Sequence, residues 1–167
     1  GGRIAFTTAR TDERLAVQFM AAEDAPLARR GAGNMSRKAH EYINGAGLTA
    51  SKLMALEVYT PGGNWSSYPP HKHDQDNMPV ESSLEETYYH RLNPPQGYVF
   101  QRVYTDDRSL DEAMAAEDHD VVMVPRGYHP VTVPHGYTSY YLNVMAGEKR
   151  NWVFKNDPVH EWMLKPA

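Results

Sequence analysis

The sequence predicts an all-β protein folded as a small barrel or sandwich. Two observations lead there. Eleven Tyr, mostly between Tyr59 and Tyr141, sit among twelve Gly and twelve Pro. Tyr and Val suit half-buried pleated surfaces, whereas Gly and Pro punctuate turns. From residue 52 onward, apolar runs also recur at short spacing, the mark of many short strands rather than of βαβ units.

Taken in order, residues 3–8 and 14–20 are apolar stretches that read as strands, and AEDAPLARRGAGNMS (22–36) reads as a linker. A strand follows over 37–43, then the turn GAGLTAS (45–51), then the strand KLMALEVYT (52–60), closed by PGGNWSSYPP. Strands are expected over 84–92, which ends in NPPQG, over 98–104, which ends in TDDRS, over 121–125 and over 139–145. The segment from Ser109 is open to two readings. SLDE fits a capping box and AMAA favours helix, but EDHD is a tight turn into VVMVP, so a hairpin strand is preferred. Asn156-Asp157-Pro158 places an N-cap residue before Pro at the first helical position, predicting a short helix near the end.

The 167 residues suffice for one good core, and a formal charge of −4 gives no electrostatic reason to expect nucleic acid or an anionic membrane as partner. No run of 18 apolar residues and no leader-like stretch is present, so cytoplasmic residence is the expectation. With no Cys in the chain, any metal must rest on nitrogen and oxygen.

Those donors occur in one pattern. His71 and His73 are one residue apart, so on a strand both side chains face the same way. Glu85-Glu86 heads the run TYYHRL, and Pro125-Arg-Gly-Tyr-His129 places a histidine just past a turn that Gly127 permits. Three imidazoles and a carboxylate suit zinc, with manganese or ferrous iron as alternatives, and leave coordination positions for a substrate. Counting alternate residues from Glu86 puts Tyr88 and His90 on its face. Arg102 and Tyr104 share a face of their strand, as do Tyr141 and Asn143.

H-x-H, a Glu heading an aromatic strand, and P-x-G-x-x-H together resemble the two cupin motifs. The stretch DQDNMPVESSLE makes the gap before the Glu longer than usual. In cupins the ligand Glu directly precedes the aromatic strand, which favours Glu86 over Glu85. The longer strings TPGGNWSSYPPHKHD, LEETYYHRLNPPQGYVFQRVYTDDRSLDE, DVVMVPRGYHPV and YYLNVMAGEKRNW look like the 5-deoxy-glucuronate isomerases of the IolB type, over residues 52–162. That family is similar to the 4-deoxy-5-threo-hexosulose-uronate ketol-isomerases, which use zinc on three His and one Glu.

The resemblance implies a cupin barrel, the C-terminal half of a two-cupin protein. Residues 1–25 would be a remnant of the preceding cupin, 26–51 linker and first strand, 52–150 the metal-binding barrel, and 151–167 a docking tail outside it. It implies His71, His73, Glu86 and His129 as ligands of a divalent metal. The implied reaction is aldose–ketose isomerisation of 5-deoxy-glucuronate to 5-dehydro-2-deoxy-gluconate in inositol catabolism. For proton transfer the candidates are His90 and Tyr88, and Tyr141 is a further catalytic candidate. Arg102 is the candidate to grip the substrate carboxylate, because guanidinium binds it bidentately. The expected partners are a uronate and further copies of the chain. A cupin dioxygenase or a non-catalytic sugar-binding cupin would be the other readings of the same ligand set.

Overall fold

The computed structural model describes residues 1–45 and 47–164. A six-stranded antiparallel sheet, in the order β1-β2-β3-β13-β8-β11, is built from β1 (Leu27–Arg30), β2 (Arg37–Ile43), β3 (Leu53–Pro61), β8 (Glu85–Asn93), β11 (Val121–Val124) and β13 (Thr138–Ala146). Facing it is a four-stranded sheet, β10-β9-β12-β4, from β4 (Trp65–Ser66), β9 (Tyr98–Tyr104), β10 (Asp111–Glu117) and β12 (Val131–Thr132). Two small ladders complete the fold: β5 (His71–Lys72) with β14 (Lys155–Asn156), and β6 (Asp74–Asn77) with β7 (Glu81–Ser83). No helix among the described residues is long and apolar enough to cross a membrane.

The alternation in the sequence explains which face each strand buries. In β8, Glu86, Tyr88, His90 and Leu92 are buried, while Glu85, Arg91 and Asn93 are exposed. In β13 the same period buries Ser139, Tyr141, Asn143 and Met145. The β8–β13 register sets Tyr88 opposite Asn143 and His90 opposite Tyr141. The β13–β3 register continues those rows to Leu56 and Val58. Val99, Gln101 and Val103 of β9 close the interior from the other sheet. Burying such apolar side chains contributes about 1.5–3 kcal/mol each, and that drives the two sheets together.

The strands expected over 37–43 and 98–104 occur with those bounds, and the segment after Ser109 is β10. Two expectations fail. Residues 3–8 and 14–20 form no strand, because no sheet edge takes up their backbone groups. Side-chain links such as Gln18 Nε2 donating to the Thr49 carbonyl at 2.9 Å hold this segment instead. The predicted linker 22–36 contains β1, which pairs with β2 from Leu27–His40 to Arg30–Arg37.

The expected tail makes defined contacts with the rest of the fold. Its β14 pairs with His71 and Lys72. Asp157 caps the 3-10 helix Pro158–Leu164, accepting from the Val159 N–H at 3.2 Å, and also accepts from the Tyr104 hydroxyl at 2.7 Å. Residues 165–167 of the expected tail, and residue 46 of the expected turn, lie outside the described residues.

Candidate metal centre

His71, His73 and His129 come together where β5, the start of β6 and the turn before β12 meet. One ligand atom from each lies within 4.8 Å of the others. The ring centroids of His71 and His73 stand 5.0 and 5.1 Å from that of His129. Each ring is oriented by a backbone carbonyl. His71 Nδ1 donates to Pro69 at 3.2 Å, His73 Nδ1 to Leu84 at 3.3 Å and His129 Nδ1 to Gly127 at 2.8 Å. A carbonyl can only accept, so Nδ1 carries a proton in all three, and in the neutral ring Nε2 is left with a free lone pair. Gly127 makes the last contact possible. Its φ is +91°, and a Cβ there would stand 2.4 Å from the Tyr104 carbonyl oxygen.

Glu86 enters the same space while Glu85 points to solvent. Its Oε1 accepts a short hydrogen bond from Asn143 Nδ2. Its Oε2 lies 3.1 Å from His73 Nε2 and 3.0 Å from His129 Nε2. These three buried atoms nevertheless lack an aligned hydrogen bond among the described residues. Buried polar atoms without partners are rare. Three whose lone pairs converge are the arrangement a cation would satisfy, and the donor set of imidazole nitrogen and carboxylate oxygen suits one.

The four groups also act on one another electrostatically. Burial alone would push the Glu86 carboxyl up, but His129 and His73 beside it hold it well below the ordinary carboxylate range. Burial, reinforced by His129 and His73, lowers His71 well below an ordinary histidine. Burial also opposes the charged form of His73, but Glu86 outweighs it and raises its pKa.

Tyr88 stands next to the cluster, its ring centroid 6.0 Å from that of His129. Burial, followed by the Glu86 charge, raises its pKa well above the ordinary phenol value. Its hydroxyl therefore stays protonated, within 2.8 Å of Ser67 Oγ. Tyr141 lies 4.8 Å from Tyr88 between centroids, and its hydroxyl is 2.6 Å from Ser66 Oγ. His90 is one row further along. It stacks on Tyr88 at 6.0 Å and meets Gln101 Oε1 through Nε2 at 3.0 Å, leaving Nδ1 unpartnered. Burial lowers its pKa.

Arg102 is not part of this group. It projects from the outer side of β9, where its guanidinium forms a bidentate pair with Asp111 at 2.7 and 2.8 Å and lies over the Tyr104 ring. The expectation that it reaches an interior substrate is corrected: alternation sends Gln101 and Val103 inward and Arg102 outward.

Several neighbours escape a reading of motifs. Phe154 in the tail lies 4.7 Å from His71 between centroids. Trp152 packs beside it and carries Arg30 over its ring at 4.7 Å. Lys72 points away from the face of the two flanking histidines, and it is buried, paired with Asp74 at 2.7 Å and with both Glu81 oxygens at 3.0 Å. Asp74 in turn accepts from the Gly127 N–H at 2.7 Å, tying the H-x-H segment to the turn that carries His129. A surface concavity lies elsewhere, on the outer face of the six-stranded sheet. Its Glu57 is already engaged by the Tyr42 and Tyr140 hydroxyls.

Two facing antiparallel sheets with a histidine cluster between them define a cupin, and the cluster fits a divalent metal site. A cupin-2 domain from Rhodospirillum rubrum shares the fold, with a TM-score of 0.56 at 15% identity over 89% of this chain and 85% of that one. The chain belongs to the KduI/IolB family, whose sequence model matches residues 1–163. It is 58% identical over 165 residues to the 5-deoxy-glucuronate isomerase of Bacillus velezensis, covering 99% of this chain and 61% of that protein. An IolB-like protein from Salmonella typhimurium superposes with a TM-score of 0.82 at 50% identity, over 86% of this chain and 54% of that one. The chain thus spans about three fifths of the length of the curated relatives it matches.

Proposed function

We propose that this chain carries the catalytic centre of a metal-dependent 5-deoxy-glucuronate isomerase, converting that aldose to 5-dehydro-2-deoxy-gluconate in inositol catabolism. The observation that carries the reading is the convergence of His73 Nε2, His129 Nε2 and Glu86 Oε2 as unpartnered buried atoms beside His71. The family membership and the 58% identity to a named isomerase supply the reaction class.

His71, His73, Glu86 and His129 hold the metal, with zinc as the first choice for this donor set. When bound, a divalent cation supplies Lewis-acid polarisation of a substrate carbonyl. The chain's own residues then divide the work. Tyr88, protonated and next to the ligands, holds the proton to be delivered. His90, kept neutral by burial, stands behind it as a proton acceptor. Tyr141 braces Tyr88 and presents its hydroxyl with Ser66 to a sugar hydroxyl. Phe154 covers His71 and limits the entry of water.

We place residues 1–25 with a preceding cupin unit of such an isomerase and the barrel of 52–150 as the second. The relatives' greater length and the exposed Phe6, Val17 and Phe19 support this. Exposed Phe100, Val121 and Met123 favour self-association.

The test is turnover of 5-deoxy-glucuronate by metal-loaded protein under anaerobic conditions. Conversion without oxygen is expected, with loss of both bound metal and turnover in a His71→Ala, His73→Ala variant. Full turnover by that variant, or a requirement for oxygen, contradicts the reading.

A further inference from the structure

We propose that Arg37 binds the carboxylate of the substrate, a role that rests on the uronate reading above. Arg37 opens β2, and residues 37, 39 and 41 share one face. Ala39 on that face is fully buried in the core against Val58, which continues through the β3–β13 register to Tyr141. Arg37 therefore faces inward, one step along the strand from the row that holds Tyr141 and His90. Neighbouring contacts fix it there. The turn Gly33–Met35 packs on β4, and Asn64 Nδ2 donates to the Ser36 carbonyl at 2.8 Å. These contacts hold the start of β2 against β4, whose Ser66 hydroxyl meets Tyr141.

Three other arginines around the barrel have carboxylate partners. Arg102 pairs with Asp111, Arg91 with Asp118 and Arg30 with Glu41. Half-buried Arg37 has no carboxylate within ion-pair distance among the described residues, and its one protein acceptor is the Met35 carbonyl at 2.8 Å. A guanidinium has five N–H donors in a planar fork, so most of its capacity is left for a ligand. Burial makes its charge less comfortable, with Arg30 adding like charge, while the Tyr141 and Tyr88 phenols nearby oppose the effect.

The rings connect this cation to the metal centre. From His129 to Tyr88 is 6.0 Å, and from Tyr88 to Tyr141 is 4.8 Å, and Arg37 stands two residues along β2 from Ala39, which lies in the row of Tyr141. A ligand that engages both ends needs oxygen donors at one terminus and an anion at the other. A sugar acid in open-chain form has that chemistry.

The experiment measures binding of D-glucuronate and its neutral amide, D-glucuronamide, to the metal-loaded full chain by calorimetry. Glucuronate should bind the parent protein more tightly than the amide. Arg37→Ala should weaken glucuronate about 10- to 100-fold, the range for loss of a charged hydrogen bond, with amide affinity and metal content unchanged. Arg37→Lys should restore part of the loss. Equal weakening of both probes, unchanged glucuronate affinity, or no glucuronate binding by the parent protein overturns the assignment. Melting temperature verifies folding, and Arg37→Gln answers by the same ratio if the alanine variant does not fold. Glucuronate binding that depends on Arg37 without turnover of 5-deoxy-glucuronate would sink the isomerase reading alone. Turnover with Arg37-independent binding would sink this inference alone.

Discussion

At Glu86 two demands meet in one carboxylate: Oε1 accepts from Asn143 while Oε2 faces His73 and His129. The hydrogen bond fixes the carboxyl plane, which leaves the other oxygen aimed at the imidazole nitrogens. Partners of this kind contribute about 10- to 100-fold to metal affinity. Asn143→Ala should therefore weaken metal binding by about that factor, read by competition with a chelating dye. Glu86→Gln should weaken it further, and Glu85→Gln should leave it unchanged, because Glu85 points to solvent. Equal effects at the two glutamates would contradict the assignment. Asn143 shares a face with Tyr141 in the sequence, yet its contact with Glu86 needs the β8–β13 register, which no local pattern reveals.

The elements show where local reasoning reaches its end. Alternation was sufficient in β8, where one parity brings Glu86, Tyr88 and His90 inward together. In β9 the pattern puts Arg102 and Tyr104 on one face without telling which face is inside, and the sheet built with β10 and β12 turns Arg102 outward. Lys72 follows the alternation, but its face is covered by β7, so the cation is buried among acids rather than solvated. Arg37 was readable as a strand residue; its place at the site depends on β2 joining the sheet beside β3, a long-range event. The Lys72–Glu81–Asp74 group joins three elements around the metal centre. Lys72→Met should cost about 3–5 kcal/mol in urea unfolding, because it leaves paired carboxylates buried without their cation. A loss below about 1 kcal/mol would mean the group behaves as an exposed ion pair.

Across the whole molecule the candidate ligands come from both halves of the barrel. Glu86 belongs to the six-stranded sheet, His129 precedes β12 of the four-stranded sheet, and His71 lies in the ladder formed with the tail. A bound ion would therefore cross-link the fold, and its affinity would add to folding stability in proportion to RT ln(1 + [L]/Kd). The central claim is that His71, His73, Glu86 and His129 together bind one divalent metal. X-ray absorption on stoichiometrically loaded protein tests it most directly. The account predicts one ion per chain, with imidazole scattering from three histidines and a carboxylate oxygen, and metal–nitrogen distances of about 2.0–2.1 Å for zinc. Failure to retain one ion per chain, or a coordination shell without imidazole, would contradict it.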